Sequence, residues 1–359
     1  MRARLGLSAL ALLFASPALA CGGTSIGAGA GGGPHVRLLA DPTLATVADI
    51  TTGFSSRVGG SNVAFGTLAG RCGSASSAGA GGGPHVRLYD AGGAQTGSFL
   101  AFDVGFTSGV SLAIGGGNLV AATESDGGTI KVFSGDGSTV LANFFAFAPG
   151  YTGGVHVATG LSNGQGVIVA AASAGPRVRV FDAASLAVVG DFFGLSQGAT
   201  ISSVTTGRFD QHDAIFVGTS ASGLVNVFDT VGFAQIGSFL LEGLGSGEAL
   251  AGGRFDGHDS LFVAYGSTDS TVRIFDTATA TLAPLAVFSA AELSTGGVNI
   301  AADAVTASPP VAAVPEPAIW LQLLIGFGVA GSAVRSVRSR GASRDGAPAS
   351  AAGAAGRRR

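Results

Sequence analysis

The sequence predicts an all-β protein with the architecture of a β-propeller, on three observations. A short motif (apolar, basic, apolar, aromatic, Asp) recurs with its first residue at Val36, Val86, Ile130, Val178, Val225 and Val272, at spacings of 50, 44, 48, 47 and 47 residues. A period in the forties, filled by several short strands, is the pattern of propeller blades. The composition is 47% hydrophobic in short β-branched runs, with 61 Gly and only 11% charged residues, which favours a packed β protein over helix or disorder. The links between runs are Gly, Asn, Asp and Ser, the residues that tight turns need. A parallel α/β fold would need helical segments of ten or more residues between strands, and none is present.

In chain order, residues 1–20 read as a signal peptide. Arg2 and Arg4 form the charged start, Leu5 to Phe14 the apolar stretch, and Ala18-Leu19-Ala20 the small-x-small cleavage site before Cys21. Signal peptidase is the implied partner. A lipoprotein box would need a large aliphatic residue where Ala18 stands, so plain cleavage fits better.

Residues 21–308 form the propeller body, about 290 residues long. The clearest unit has strands at 154–159, 167–171, 177–181 and 187–193. The body opens on a second strand, Thr24 to Ala30, and closes on a first strand, Gly297 to Ala301. Pairing the two closes a ring of six four-stranded blades and removes exposed sheet edges. The sequence leaves a seventh blade open. Cys21 and Cys72 are a candidate disulfide. Export permits it, but equivalent positions in neighbouring blades can lie beyond the roughly 7 Å Cα limit, so bridge and free thiols both remain open.

Residues 309–317 are a Pro-rich linker. Residues 318–334 form an uncharged stretch of about 26 Å as a helix, the lower limit for a bilayer span. Residues 335–359 are a basic tail, read as cytoplasmic by the positive-inside rule and disordered by composition. Pro315-Glu316-Pro317, Trp320, and Arg335, Arg338 and Arg340 after the span resemble a PEP-CTERM sorting signal. The resemblance implies a Gram-negative envelope, processing by an exosortase, and an association with exopolysaccharide.

Ala78 to Arg87 and Phe144 to Val155 resemble FG-GAP-like, integrin-α-like propeller repeats. That resemblance implies a propeller with an extracellular binding or matrix role. It also implies calcium in the loops between first and second strands. Here the matching loops carry only Asp210, Asp213, Asp256 and Asp259, behind Arg208 and Arg254, and one such loop has no carboxylate. A guanidinium at the first position opposes a divalent cation, so the loops read as degenerate Arg–Asp turns and no cofactor is expected.

The glycine runs at Gly27 to Gly33 and Gly79 to Gly83 are followed by Pro and a strand, not by the helix that a phosphate loop requires. A net charge of −3 gives no reason to expect nucleic acid. His35, His85, Phe106 and Tyr151 fall on one predicted rim and are the candidate contacts to polysaccharide or matrix protein, unless the aromatics tuck inward as plugs. The strand-three residues Arg37, Arg87, Lys131, Arg179 and Arg273 form a near-complete ring of basic residues, broken by Asn226, and read as cations paired with carbonyls or a neighbouring Asp. The expected function is a non-catalytic, exported propeller for binding or assembly. The alternative is a secreted glycan-acting enzyme, which would need paired carboxylates near the axis.

Overall fold

The computed structural model describes residues 21–54, 59–220, 222–241, 248–265, 270–294 and 297–303. Six four-stranded antiparallel sheets make a six-bladed propeller. Blade 1 contains β1 (Gly23–Ala28), β2 (His35–Ala40) and β3 (Thr46–Thr51). Blade 2 is β4 (Ser61–Leu68), β5 (Arg71–Ala78), β6 (His85–Asp90) and β7 (Gln95–Leu100). Blade 3 is β8 (Val110–Gly115), β9 (Asn118–Thr123), β10 (Thr129–Phe133) and β11 (Val140–Phe145). Blade 4 is β12 (Val155–Ser162), β13 (Gln165–Ala172), β14 (Arg177–Asp182) and β15 (Val188–Phe193). Blade 5 is β16 (Ile201–Phe209), β17 (His212–Thr219), β18 (Leu224–Asp229) and β19 (Gln235–Leu240). Blade 6 is β20 (Glu248–Phe255), β21 (His258–Tyr265), β22 (Thr271–Asp276) and β23 (Ala283–Ser289). The last strand, β24 (Val298–Ala302), returns to blade 1.

The closure is an antiparallel pairing of β1 with β24, from Thr24 opposite Ala302 to Ala28 opposite Val298. Beside it, Cys21 and Cys72 form a disulfide across a Cα separation of 5.3 Å. Cys21 precedes β1 and Cys72 lies in β5, so the bond staples the N-terminal end of blade 1 to blade 2.

Local chemistry explains the hairpins. Ala69-Gly70, Gly116-Gly117, Asn163-Gly164, Asp210-Gln211 and Asp256-Gly257 all have positive φ at both residues. This is the two-residue type I′ turn, whose twist matches the strands it joins. In every blade the pairing of third and fourth strands slips by one residue, for example between Val180 and Phe181. Such bulges twist an outer edge away from a neighbour and discourage edge-to-edge association.

The core lies between blades. Val169, Val178 and Val180 of blade 4 pack with Ile215 and Val217 of blade 5. Ile26 and Ile300 of blade 1 pack with Phe262, Val272 and Ile274 of blade 6. Near the axis the inner strands approach too closely for a side chain. A Cβ on Gly27 would lie 2.1 Å from the Ser61 carbonyl oxygen, and one on Gly252 would lie 2.0 Å from that of Thr206. The high glycine content is therefore partly a packing requirement of the ring.

Residues 1–20 and 304–359 lie outside the described residues, and with them the predicted signal peptide, the linker with Pro315-Glu316-Pro317, Trp320, the membrane span and the arginines. Among the described residues no helix is long and apolar enough to cross a membrane.

Candidate functional site

The innermost strands β24, β4, β8, β12, β16 and β20 surround a central channel of about 410 Å³. Their second aligned positions are Asn62, Ser111, His156, Ser203, Ala249 and Asn299, set by the inner-pair registers. Four of these six side chains bond to the next blade. Asn62 Nδ2 donates to the Val110 carbonyl at 2.8 Å, and Asn299 Nδ2 to that of Ser61 at 3.1 Å. Ser111 Oγ accepts the Val157 amide at 3.2 Å, and Ser203 Oγ that of Leu250 at 3.0 Å. His156 instead faces the Ile201 carbonyl, which favours its charged form. A polar residue one step inside the strand thus stitches four of the inner strands to their neighbours, and Ala249 omits the stitch.

Two glutamates stand at the same mouth, the end where the inner strands begin. Glu124 follows β9, and its amide donates to the Gly109 carbonyl, one residue before β8. Glu248 is the first residue of β20. Blades 3 and 6 are three steps apart in a ring of six, so the two residues come from opposite walls. Glu124 keeps some exposure to the channel, while protein surrounds its carboxyl on the other sides. Burial pushes its pKa up to about 7, against the donors Asn62 and the Ala80 amide. Glu248 is 3% exposed, and both its oxygens lack a hydrogen-bond partner among the described residues. Burial pushes it, too, up to about 7; the amides of Thr219 and Glu248 itself draw the value down without reaching hydrogen-bonding geometry. His156 is held down at about 4 by burial, opposed by the Ile201 carbonyl. At the far end of the inner strands, Asp303 is raised to about 6 by burial, with the Cys21 amide counteracting.

The predicted rim residues do not join this channel. His35 Nδ1 lies 4.0 Å from Asp49 Oδ1, and His85 Nε2 lies 2.7 Å from Ser98 Oγ. Burial, and then the Arg87 charge, lower the His85 pKa. Phe106 is half-buried with its ring 5.2 Å from that of Phe102. Tyr151 packs 4.9 Å from the Phe147 ring and donates its hydroxyl to the Gly154 carbonyl at 2.8 Å. Replacing Phe106 and Tyr151 together by Ala should therefore cost about 2–4 kcal/mol, less than full burial of two aromatics would give. A urea midpoint close to that of the parent would mean that these rings contribute no packing.

In blades 1 to 4 the strand-three cation holds the loop arriving from the previous blade. Lys131 Nζ donates to the Ala101 carbonyl at 3.0 Å and sits over the Phe102 ring. Arg179 donates to the Ala146 carbonyl at 3.0 Å, sits over Phe147 and pairs with Asp191. Arg87 lies over Phe54. Arg37 pairs with Asp49 at 2.7 Å and reaches Glu292 at 3.5 Å. Asn226 performs the same task without charge, donating to the Gly194 carbonyl at 3.0 Å.

The calcium-type loops are tight turns held by arginine. Arg208 donates to the Gln211 carbonyl at 2.9 Å and Arg254 to the Gly257 carbonyl at 2.6 Å. Asp259 lies 4.0 Å from Arg208 and 3.8 Å from Arg254. Asp213 is the register partner of Arg208; burial raises its pKa, with the Arg208 charge opposing. The amide of Asp256 is taken by Asp41 of blade 1 at 2.9 Å, and that of Asp210 by the Thr277 carbonyl at 2.9 Å. His212 pairs with Asp229 and His258 with Asp276, each at 3.1 Å. Among the described residues no group of three His, Cys, Asp or Glu is placed to hold a metal ion.

The chain shares its fold with solved structures. One is a crystal structure of a protein of unknown function from Bacteroides caccae, with a TM-score of 0.53 and 13% identity, matching 78% of this chain and 98% of that one. At that identity the likeness concerns the fold alone. No family model and no curated protein matches the sequence.

Sequence reasoning passed over Glu124 and Glu248. A signal was available, since the chain has only five glutamates and Glu248 opens a run of small apolar residues, Ala249 to Gly253, rather than sitting in a turn. What the run could not show is that its first residue faces a channel.

Proposed function

We propose that this chain is an exported cell-surface or matrix propeller whose body is a non-catalytic scaffold for binding or assembly, sorted through its C-terminal segment. The observation that carries this reading is the Cys21–Cys72 bond. Such bonds persist in oxidising compartments, and one partner is the residue directly after the predicted cleavage site. Further support comes from the polar residues that could have formed a reactive site: most are engaged in joining blades, and the strand-three cations hold loops. The resemblance to PEP-CTERM signals adds exosortase processing, an envelope location in a Gram-negative bacterium, and extracellular polysaccharide or matrix protein as the partner class.

The test is expression of the full chain in a Gram-negative host that carries an exosortase, followed by fractionation and mass spectrometry. The expected product begins at Cys21, contains the disulfide and reaches the cell surface. Replacing Pro315, Glu316 and Pro317 by Ala should leave it uncleaved in the membrane. A cytoplasmic product with an intact N-terminus and free thiols would overturn export. Turnover of an extracellular glycan by the purified body, abolished by Glu124→Gln or Glu248→Gln, would overturn the non-catalytic reading in favour of a secreted glycan-acting enzyme.

A further inference from the structure

We propose that the channel mouth binds a small organic cation bearing a primary ammonium group, with Glu248 as its anchor and Glu124 as a second carboxylate on the opposite wall. Among the described residues, the lining of the channel contains the titratable side chains Glu124, His156 and Glu248, and no Lys or Arg. A buried carboxylate without a cation or donors is costly, and among the described residues Glu248 has neither: both its oxygens are unpartnered at 3% exposure. Ser202 Oγ, also on the channel lining, is a third buried oxygen without a partner.

The backbone places these oxygens on neighbouring strands. Ser202 is the extra residue where the β16–β17 pairing slips between Ile201 and Ser203; the other inner pairs run without a slip. Bulges of this kind re-aim side chains beside functional sites. One residue on, Ser203 is bonded to Leu250 of β20, so Ser202 and Glu248 lie at one junction of blades. Gly218 makes room for the carboxylate itself, since a Cβ there would sit 2.9 Å from Glu248 Oε1, and the small second-position side chain of blade 6, Ala249, leaves the channel side beside it open.

The chemistry selects the ligand class. An ammonium has three N–H donors and no acceptor, matching two carboxylate oxygens and one hydroxyl. Calcium would need six to eight oxygens, and the two glutamates stand on opposite walls. Deeper in the channel the lining turns apolar at Leu112, Val157, Val204, Leu250 and Ile300, which suits a short alkyl chain.

The test uses calorimetry and thermal shift on the purified body at pH 8, with butylamine and 1,4-diaminobutane as probes. Tetramethylammonium, calcium chloride and sodium chloride of equal ionic strength are the comparisons. Saturable binding of both amines is expected. Glu248→Gln should weaken it at least tenfold, Ser202→Ala several-fold, and Glu124→Gln should weaken the diamine more than the monoamine. Circular dichroism and the melting transition establish that each variant is folded. The proposal is overturned if amines give no saturable signal up to about 10 mM, the weak end of measurable affinity. It is equally overturned if Glu248→Gln binds like the parent, or if tetramethylammonium, sodium or calcium matches the amines.

Discussion

Removing residues 21–33 is expected to abolish the soluble folded state. That segment contains all of β1, the central link of the closing blade. β1 pairs β24 on one side and β2 on the other, and its six residues are all buried. Without it, β24 and β2 each present an open edge, the geometry that recruits other chains. The deletion also removes Cys21 and so the staple to blade 2. For a sequence separation of 51 residues, the loop-entropy account assigns such a bond about 4 kcal/mol. Size-exclusion chromatography with light scattering should show aggregate in place of monomer. A truncated chain that stays soluble and unfolds in one cooperative transition would show that closure through β1 does not hold the ring.

Glu248→Gln is expected to stabilise the protein at pH 8 and to leave it nearly unchanged at pH 4.5. The folded pKa of Glu248, about 7, lies above the ordinary value of 4.5. A carboxyl raised on folding binds more protons in the native state, so stability is highest below about 4.5 and falls as pH rises through 7. Glutamine preserves the shape and removes the ionisation. The gain at pH 8 has an upper bound of about 3 kcal/mol, from 1.36 kcal/mol per pKa unit, or several degrees in Tm. Glu124 and Asp303 pull wild-type stability in the same direction between pH 4 and 7. His156 pulls the other way: its folded value of about 4 lies below 6.5, so its contribution is lost as pH falls through that window. Melting curves of parent and variant at the two pH values separate the Glu248 contribution from the rest. Equal Tm differences at both pH values would mean that Glu248 is not ionised against a cost in the native state. An ammonium ligand would supply the same relief that glutamine supplies by substitution.

Much of the fold was legible because propeller order is written in one dimension. The strand-three motif marks every blade, since each blade packs an aliphatic residue on both sides of a basic residue or Asn, and in blades 1 to 5 that residue holds the preceding loop. The reading that the chain opens on a second strand and closes on a first led directly to the β1–β24 closure. The Gly, Asn, Asp and Ser links announce tight turns, and Asn163-Gly164 and Asp256-Gly257 are type I′ turns with positive φ at both residues. The strand-three cations were read as paired, and Lys131, Arg179 and Arg37 find carbonyls or carboxylates. The loops with Asp210, Asp213, Asp256 and Asp259 read as Arg–Asp turns; in the structure Arg208 and Arg254 bond the turn carbonyls instead, with Asp259 4.0 and 3.8 Å from them.

By itself, the sequence determined the repeat, the strand order and the ring, because these follow from local periodicity and from counting strand types. The tertiary structure decided what faces what. Whether Cys21 meets Cys72 depends on a 5.3 Å approach between neighbouring blades, which no spacing encodes. Phe106 and Tyr151 are loop aromatics in the sequence and half-buried rings in the structure, because Phe102 and Phe147 wait beneath them. Glu124 and Glu248, separated by more than a hundred residues, share a channel mouth only because six blades bring their inner strands around one axis. Burial there, a property of the assembled ring and not of either residue's neighbours in the chain, raises both carboxyls toward neutrality.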